Sequence, residues 1–379
     1  MPKSPVTSPK IAIVYDWLVT LAGGERVLSH VLSLYPDAAV HTLVFDPEAV
    51  KGSPLETAHV VASRLQRFPG AKRHYRNYLP FYPWAVRGLD LSGYDIILSI
   101  SHAAAKGAPV NPRQMHLCYC FTPMRYAWDL REQYMASLNK MKRLIAEPIL
   151  NRLKRWDYEN SKNVRAFATI SDCVAQRIKR AYGRTSQVIY PAVDVNRFTV
   201  VPRKNNYFIT VSRLVPYKRV DLIVEAFSEL GLPLKVVGDG PEMGRIRAKA
   251  GPTVELLGRQ SDQEVGVLIG SARAFVFAAF EDFGIAPLEA LACGTPVIGF
   301  GGGGLLETVK NGIHGVYFAR QEPAGLKSAI KEFLRVEGTF IPRVLRKRAE
   351  EFSPERFKTE FAGFVADSWE NFKREPRLP

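Results

Sequence analysis

Residues 280–290 read FEDFGIAPLEA and mark a passage from a strand into a helix. The apolar run Ala274–Phe277 before them predicts a buried strand. Pro287 suits a first helical turn, where its missing N–H is not required, and Gly294 suits the cap that ends the helix. The free backbone N–H groups at this helix start, around Gly284 to Ala286, are typical of a diphosphate site.

Two carboxylates lie eight residues apart in this segment. Glu281 falls in the loop before the helix, and Glu289 falls on the helix itself. Carboxylates accept hydrogen bonds from paired sugar hydroxyls, so Glu289 fits a ribose and Glu281 fits a transferred sugar. The alternative is that both are ordinary surface acids, which is the usual place for glutamate.

A second segment, 211–219, reads VSRLVPYKR and supplies two cations after a predicted strand. Arg213 follows the strand directly, and Lys218 is predicted at the start of the next helix. A forked guanidinium and a mobile ammonium together can neutralise a diphosphate leaving group. The turn GDGPE at 238–242 and the four glycines at 301–304 follow two further strands and are predicted at the same edge.

The pattern of short apolar runs alternating with helical stretches indicates a doubly wound α/β fold. In the first half the predicted strands are Ile11–Tyr15, Ile96–Ile100, His116–Phe121, Ala166–Ile170 and Val188–Tyr190, with helices at Glu25–Tyr35 and Asp172–Tyr182. In the second half the predicted strands are Phe208–Val211, Leu234–Val237, Val254–Leu257, Ala274–Phe277 and Val297–Phe300.

A break at 191–206 divides these elements into two Rossmann-like domains. We expect a first domain at 1–195 and a second at 196–354, facing across a cleft that holds the active site. The helical stretch Glu350–Lys373 is predicted to leave the second domain, so that residues from about 355 to 379 pack back on the first.

Composition narrows the classes of protein. The chain has 379 residues and a net charge of +15, which predicts attraction to phosphate-rich partners. Residues 1–10 lack the apolar segment of a secretory leader, and no apolar run is long enough to span a membrane. The four cysteines show no metal-ligand spacing and indicate buried thiols in a reduced cytosol, so no metal site is predicted.

These motifs together resemble family 4 glycosyltransferases, the retaining enzymes with an E-x7-E motif. The order and spacing match over about residues 188–310. The resemblance implies a GT-B fold without a metal cofactor, with Arg213 and Lys218 on the donor diphosphate. It also implies that Glu281 contacts the donor sugar and Glu289 the ribose, with Gly284 and Ile285 at the phosphates.

The first domain adds three segments to this resemblance. Gly23 and Gly24 match the first-loop glycines of the family, which lie against the donor phosphates and the acceptor. His102 resembles a histidine near the transferred sugar, with a structural hydrogen-bonding role as the alternative. The aromatic segment 118–129 fits an acceptor wall or a packed loop. With YDWLVT and SHAAAKGA, it resembles mannosyltransferases of bacterial O-antigen and exopolysaccharide assembly, which favours GDP-mannose.

Basic and aromatic side chains interleave in two stretches, a pattern that suits an anionic bilayer surface. The sequence therefore predicts a peripheral protein on the inner face of the cytoplasmic membrane, with a polyprenyl diphosphate-linked glycan as acceptor. The alternative is a solvated basic face. The residues are Arg64, Arg67, Lys72, Arg73, Arg76 and Arg87 among aromatics up to Trp84, and Lys140, Lys142, Arg143, Arg152, Lys154 and Arg155.

Three other functions remain open from the sequence. A UDP-sugar could be the donor, because no residue identifies the base. A sugar-nucleotide epimerase of similar architecture would differ in moving no sugar to an acceptor. A nucleic-acid-binding module would explain the charge, but it would leave the glycines and carboxylates without a role, so no nucleic-acid partner is predicted.

Overall fold

The computed structural model describes residues 9–136, 138–201 and 203–375. Its backbone divides into two compact units. The first unit takes the chain as far as Tyr190 together with the residues from Lys358 onward, and the second comprises Pro191–Phe357. The prediction about a leader concerns residues 1–10, of which residues 1–8 lie outside the described part of the chain.

The first unit contains a parallel sheet of seven described strands in the order β3-β2-β1-β4-β5-β6-β7. The central strands are buried on both faces, as expected for a parallel sheet covered by helices. The strands are β1 (Ile11–Tyr15), β2 (Ala39–Thr42), β3 (Val60–Ala62), β4 (Ile96–Ser101), β5 (Met115–Cys120), β6 (Ala166–Thr169) and β7 (Ser186–Val188).

The second unit repeats the design with six described strands in the order β10-β9-β8-β11-β12-β13, again all parallel. In both sheets the order reverses beside the first strand of the unit, and loops near such a point commonly bind ligands. The strands are β8 (Phe208–Val211), β9 (Leu234–Val237), β10 (Val254–Gly258), β11 (Phe275–Phe277), β12 (Val297–Phe300) and β13 (Gly315–Phe318).

The described helices follow the strands. They are α1 (Gly23–Leu34), α2 (Ala71–His74), α3 (Tyr82–Arg87), α4 (Arg131–Ala136), α5 (Lys140–Ser161), α6 (Asp172–Tyr182), α7 (Val220–Leu230), α8 (Met243–Lys249), α9 (Asp262–Ser271), α10 (Ile285–Ala292), α11 (Leu305–Thr308), α12 (Pro323–Val336), α13 (Pro342–Glu350) and α14 (Pro354–Arg374). Most of α14 belongs to the first unit, where Phe361 packs edge-on against Tyr119 with ring centroids 5.4 Å apart.

The predicted α/β fold class is confirmed, and most predicted strands lie within one or two residues of the observed ones. The sequence did not predict β2, β3 or β13. The single helical stretch Glu350–Lys373 was wrong in detail, because α13 ends at Glu350 and α14 begins at Pro354, a residue that suits a first turn. Three cysteines are buried as predicted, whereas Cys173 is half-buried.

The buried ring of His116 makes the stability of the first unit depend on pH. Its ring is buried on β5, with Nε2 2.9 Å from Ser99 Oγ, and burial lowers the pKa of His116 to about 4. The unfolded chain therefore binds more protons between pH 6.5 and 4, so this stabilisation is complete above pH 6.5 and is lost on acidification. We expect the denaturation midpoint of His116→Gln to fall less steeply with acid than that of the wild type.

The control is His74→Gln, because His74 is exposed. Between pH 6.5 and 4, the one extra proton on His116 in the unfolded chain changes the free energy of unfolding by about 1.4 kcal/mol per pH unit. Urea titrations of the three proteins at pH 7, 6, 5 and 4.5 measure it, and parallel slopes for wild type and His116→Gln would contradict the assignment.

Candidate functional site

Helix α10 and the loop before it form the centre of the site in the second unit. Gly284 takes φ +84, a backbone conformation that favours glycine, and the helix begins at the next residue, Ile285. The first amides of α10 have no carbonyl of their own helix to donate to, and the loop that carries Glu281 directly precedes them. Glu289 lies one turn further along α10 and is half-buried. The helix ends at Ala292, as predicted from Gly294.

The structure brings Lys218 and Glu281 into direct contact. Lys218 Nζ and Glu281 Oε1 form an ion pair, and each side chain is only 18% exposed. Their loops follow β8 and β11, which are neighbours in the sheet. Lys218 ends a 3-10 turn instead of starting a helix, because α7 begins at Val220. A predicted phosphate-binding cation and a predicted sugar-binding carboxylate therefore neutralise each other.

Arg213 lies on an exposed turn after β8. This turn is fixed by the loop that follows β9: Leu214 N donates to Asp239 O at 3.0 Å, and Glu242 N donates to Leu214 O at 3.1 Å. A Cβ on Gly238 would overlap the carbonyl oxygen of the residue before Arg213, so only glycine allows this approach. The GDGPE turn thus holds the backbone that carries Arg213.

The glycine run after β12 supports the Glu281 loop. Gly304 N donates to Glu281 O at 2.9 Å, and a Cβ on Gly304 would overlap the carbonyl oxygen of Asp282. After a strand, four glycines could let the backbone approach phosphate or sugar. The structure gives them a supporting role that the sequence did not reveal.

A buried carboxylate organises the corresponding edge of the first unit. Asp16 follows β1 and is fully buried. Its two oxygens accept hydrogen bonds from four consecutive backbone amides after β4, those of His102 (2.6 Å), Ala103 (2.9 Å), Ala104 (2.5 Å) and Ala105 (2.7 Å). Amide donors toward a carboxylate stabilise its charged form.

His102 and the two glycines of α1 lie at this same edge. His102 Nδ1 is 3.1 Å from Asp16 Oδ2, and its ring meets Trp17 edge-on at 4.5 Å. The histidine side chain remains 27% exposed. Gly23 and Gly24 open α1, and Gly24 packs against Tyr15 and Phe121, whose ring lies 6.4 Å from that of His102. The structure thus gathers the predicted site residues of this domain.

Tyr15 and Glu25 fix the start of α1. Tyr15 Oη donates to Glu25 Oε1 at 3.1 Å, and Ala22 N donates to Glu25 Oε2 at 2.8 Å. Burial and the adjacent Glu25 carboxylate raise the pKa of Tyr15 well above its usual range, so the phenol stays protonated and donates. The hydrogen bonds of Glu25 with Tyr15 and with the Ala22 amide therefore fix the backbone around Gly23 and Gly24.

A second buried carboxylate connects the His102 turn with the aromatic segment 118–129. Asp157 on α5 pairs with Lys106 Nζ at 2.6 Å and accepts from Trp128 Nε1 (2.8 Å) and Tyr182 Oη (2.6 Å). Lys106 also donates to Ala103 O at 2.8 Å. Burial opposes the lysine charge, but Asp157 outweighs it and raises the pKa of Lys106. The sequence alone did not reveal either member of this pair.

The second unit is similar in sequence to known glycosyl transferases. Residues 195–354 match the family model of glycosyl transferases group 1. The match contains every second-domain residue assigned from the sequence. An uncharacterized glycosyltransferase of Methanocaldococcus jannaschii is 31% identical over 153 residues, which are 39% of this chain and 43% of that protein. An N-acetyl-alpha-D-glucosaminyl L-malate synthase of Bacillus anthracis is 28% identical over 57% of this chain and 61% of that protein.

The chain thus spans about half the length of the curated relatives it matches. Among solved structures, Anabaena HepE in complex with UDP superposes with a TM-score of 0.68 at 16% identity, over 94% of this chain and 100% of that one. The predicted GT-B fold is confirmed by this likeness. Among the described residues, no group of three or more His, Cys, Asp or Glu could hold a metal ion.

Replacement of Asp16 tests its role as the organiser of the His102 turn. In Asp16→Asn, one side-chain oxygen remains for four amides, and the new NH2 group faces donors. Leaving buried donors unsatisfied is destabilising, so we expect a loss of about 2–4 kcal/mol in the free energy of unfolding. Chemical denaturation measures it. Asp37→Asn, at an exposed aspartate, is the control, and equal stability of both variants would refute the role.

Proposed function

We propose that the protein is a retaining glycosyltransferase that takes a hexose from a nucleoside diphosphate sugar. The observation that carries the proposal is the Lys218–Glu281 ion pair beside the start of α10. A lysine and a carboxylate that pair in the free protein are suited to exchange partners when a ligand carries both phosphate and sugar hydroxyls. The group 1 match over 195–354 supports the same reaction class.

The proposed roles follow the chemistry of each side chain. Arg213, Lys218 and the backbone at Gly284 and Ile285 bind the diphosphate, Glu281 accepts from sugar hydroxyls, and Glu289 accepts from the ribose. Negative charge grows on the phosphate as the glycosidic bond breaks. Cations and amides already in place stabilise that charge more than they stabilise the bound donor, which is the condition for faster transfer.

The first unit supplies the acceptor side of this proposal. His102, held by Asp16, offers its exposed edge to a sugar hydroxyl, and Gly23 and Gly24 allow the donor phosphates and the acceptor to approach the start of α1. We assign the acceptor as a polyprenyl diphosphate-linked glycan on the inner face of the cytoplasmic membrane. The exposed rings of Phe81 and Trp84 among surface cations support this. None of the described helices has the length and apolarity needed to cross a bilayer.

GDP-mannose is the donor that the YDWLVT and SHAAAKGA segments favour by resemblance. A UDP-sugar is the second candidate, because HepE holds UDP in the same fold. Thermal shifts separate the two, since a ligand that binds the folded state raises the melting temperature by mass action. We expect GDP and GDP-mannose to raise it by several degrees, and UDP and UDP-glucose at equal concentration to raise it less.

A larger shift with UDP and UDP-glucose would replace GDP-mannose by the second candidate. Absence of a shift with all four ligands would contradict nucleotide binding itself. Product analysis after incubation with donor and acceptor then distinguishes transfer from epimerisation, because an epimerase leaves the acceptor unchanged.

The Lys218–Glu281 pair predicts opposite effects of its two members on nucleotide affinity. Glu281→Gln removes a charge that competes for Lys218 and repels phosphate, so GDP should bind more tightly, by up to about tenfold. Transfer from the complete donor should nevertheless fall, because a sugar-hydroxyl acceptor is weakened. Lys218→Met should weaken both GDP and the donor by about tenfold or more.

Isothermal titration calorimetry and initial rates measure these effects. The matched controls are Glu255→Gln and Lys235→Met, because Lys235 and Glu255 form another lysine–glutamate pair in the same unit, 3.4 Å apart. If Glu281→Gln and Lys218→Met changed GDP affinity in the same direction, the proposed exchange of partners would be wrong.

A further inference from the structure

The first two turns of α5 expose an apolar stripe. Met141, Leu144 and Ile145 are 76%, 76% and 64% exposed, the highest values among the large apolar side chains of the described residues. Three such neighbours on one helix form a contiguous patch, whereas single exposed apolar residues are common on protein surfaces. From the sequence, only the cations of this helix were predicted to contact a bilayer.

The stripe is separate from the side of α5 that packs on the core. Together with Pro148, the three residues lie at helical positions i, i+3, i+4 and i+7, within an arc of about 100°. The buried residues begin later, at Leu150 and Leu153, and those positions point to another side of the helix. Among the described residues, no element of this unit covers the stripe.

Cations and one acid, Glu147, occupy the rest of this helix end. Lys140, Lys142 and Arg143 are exposed and lie outside the apolar arc. Arg143 also fixes the corner between α4 and α5, since Nε donates to Met135 O at 2.7 Å and Nη2 to Ala136 O at 3.3 Å. On α4, Tyr134 is 40% exposed. A helix with one apolar face and a cationic opposite face is the kind that lies in a bilayer interface.

We propose that residues 140–148 bind an anionic bilayer by shallow insertion of Met141, Leu144 and Ile145 between lipid headgroups. This inference deepens the proposed function, because a lipid-linked acceptor would be met at the same surface. Charge argues against a second copy as the occupant. Residues 140–148 carry three cations and one acid, so a two-fold contact through the stripe would bring together two helix ends of net positive charge, which is unfavourable.

Flotation of the full chain with vesicles tests the proposal. With vesicles of phosphatidylcholine and phosphatidylglycerol at 3:1, we expect the wild type to float and Leu144→Ser/Ile145→Ser to partition at least about tenfold less. The matched control is Val267→Ser/Ile341→Ser, which removes two apolar side chains that are 62% and 59% exposed in the second unit. Equal partitioning of both double variants would overturn the proposal.

Depth is measured independently in Leu144→Trp, a change that keeps the stripe apolar. Brominated acyl chains should quench this variant more than the wild type, whereas Val267→Trp should show no added quenching. Lack of extra quenching in a vesicle-bound Leu144→Trp would exclude insertion. If sedimentation instead showed that Leu144→Ser/Ile145→Ser dissociates a dimer, the stripe would be a contact between copies and the proposal would be wrong.

Failure of this inference can be told apart from failure of the proposed function. Leu144→Ser/Ile145→Ser should keep the wild-type thermal shift with nucleotide, because neither change touches the residues assigned to the donor. Vesicle binding without any nucleotide shift would leave the membrane element standing and refute the glycosyltransferase. A thermal shift with nucleotide but no vesicle binding would support the glycosyltransferase and refute the membrane element.

Discussion

The site depends on close packing between loops that leave neighbouring parallel strands at their carboxyl ends. In the second unit, this packing is backbone against backbone, and it is possible because Gly238 and Gly304 have no side chain. Their partners are the loops that carry Arg213 and Glu281. Two glycines, which have no side chain to bind a ligand, therefore set the positions of a cation and a carboxylate. The order of the strands in the sheet determines which loops can contact each other.

The first unit reaches a similar result by different chemistry. There, the carboxylate of Asp16 collects four amides of the loop after β4, and Asp157 with Lys106 fixes the other side of that loop. A buried ion pair contributes little net stability compared with apolar packing, but removal of one partner is severely destabilising. Such a network holds the loop of His102 in one arrangement, as the contact proposed between His102 and a sugar hydroxyl would require.

The sequence predicted the elements whose signals are local. Helix α6 was predicted at its observed bounds, and its ends are locally encoded: Ser171 caps its start and Gly183 ends it. The strands β2, β3 and β13 were missed because each is only three or four residues long, and a run that short does not identify a strand without its pairing partner. Lys218 and Glu281 could be predicted to meet, since strand ends converge. Asp16 could not be assigned, because its amide partners lie 86 or more residues away.

The net charge of +15 needs more than a nucleotide to account for it. A diphosphate engages about two cations, and one of the two assigned here, Lys218, is already neutralised by Glu281 in the free protein. The cations at the start of α5 remain, and they adjoin the most exposed apolar side chains of the described chain. A nucleic acid would bind the cations and leave the side chains of Leu144 and Ile145 in water. An anionic bilayer would bind the cations and also bury these two side chains. The site cation is thus paired with an acid, whereas the cations of α5 lie exposed beside apolar side chains. This separation fits the proposed transfer from a water-soluble donor to a lipid-linked acceptor.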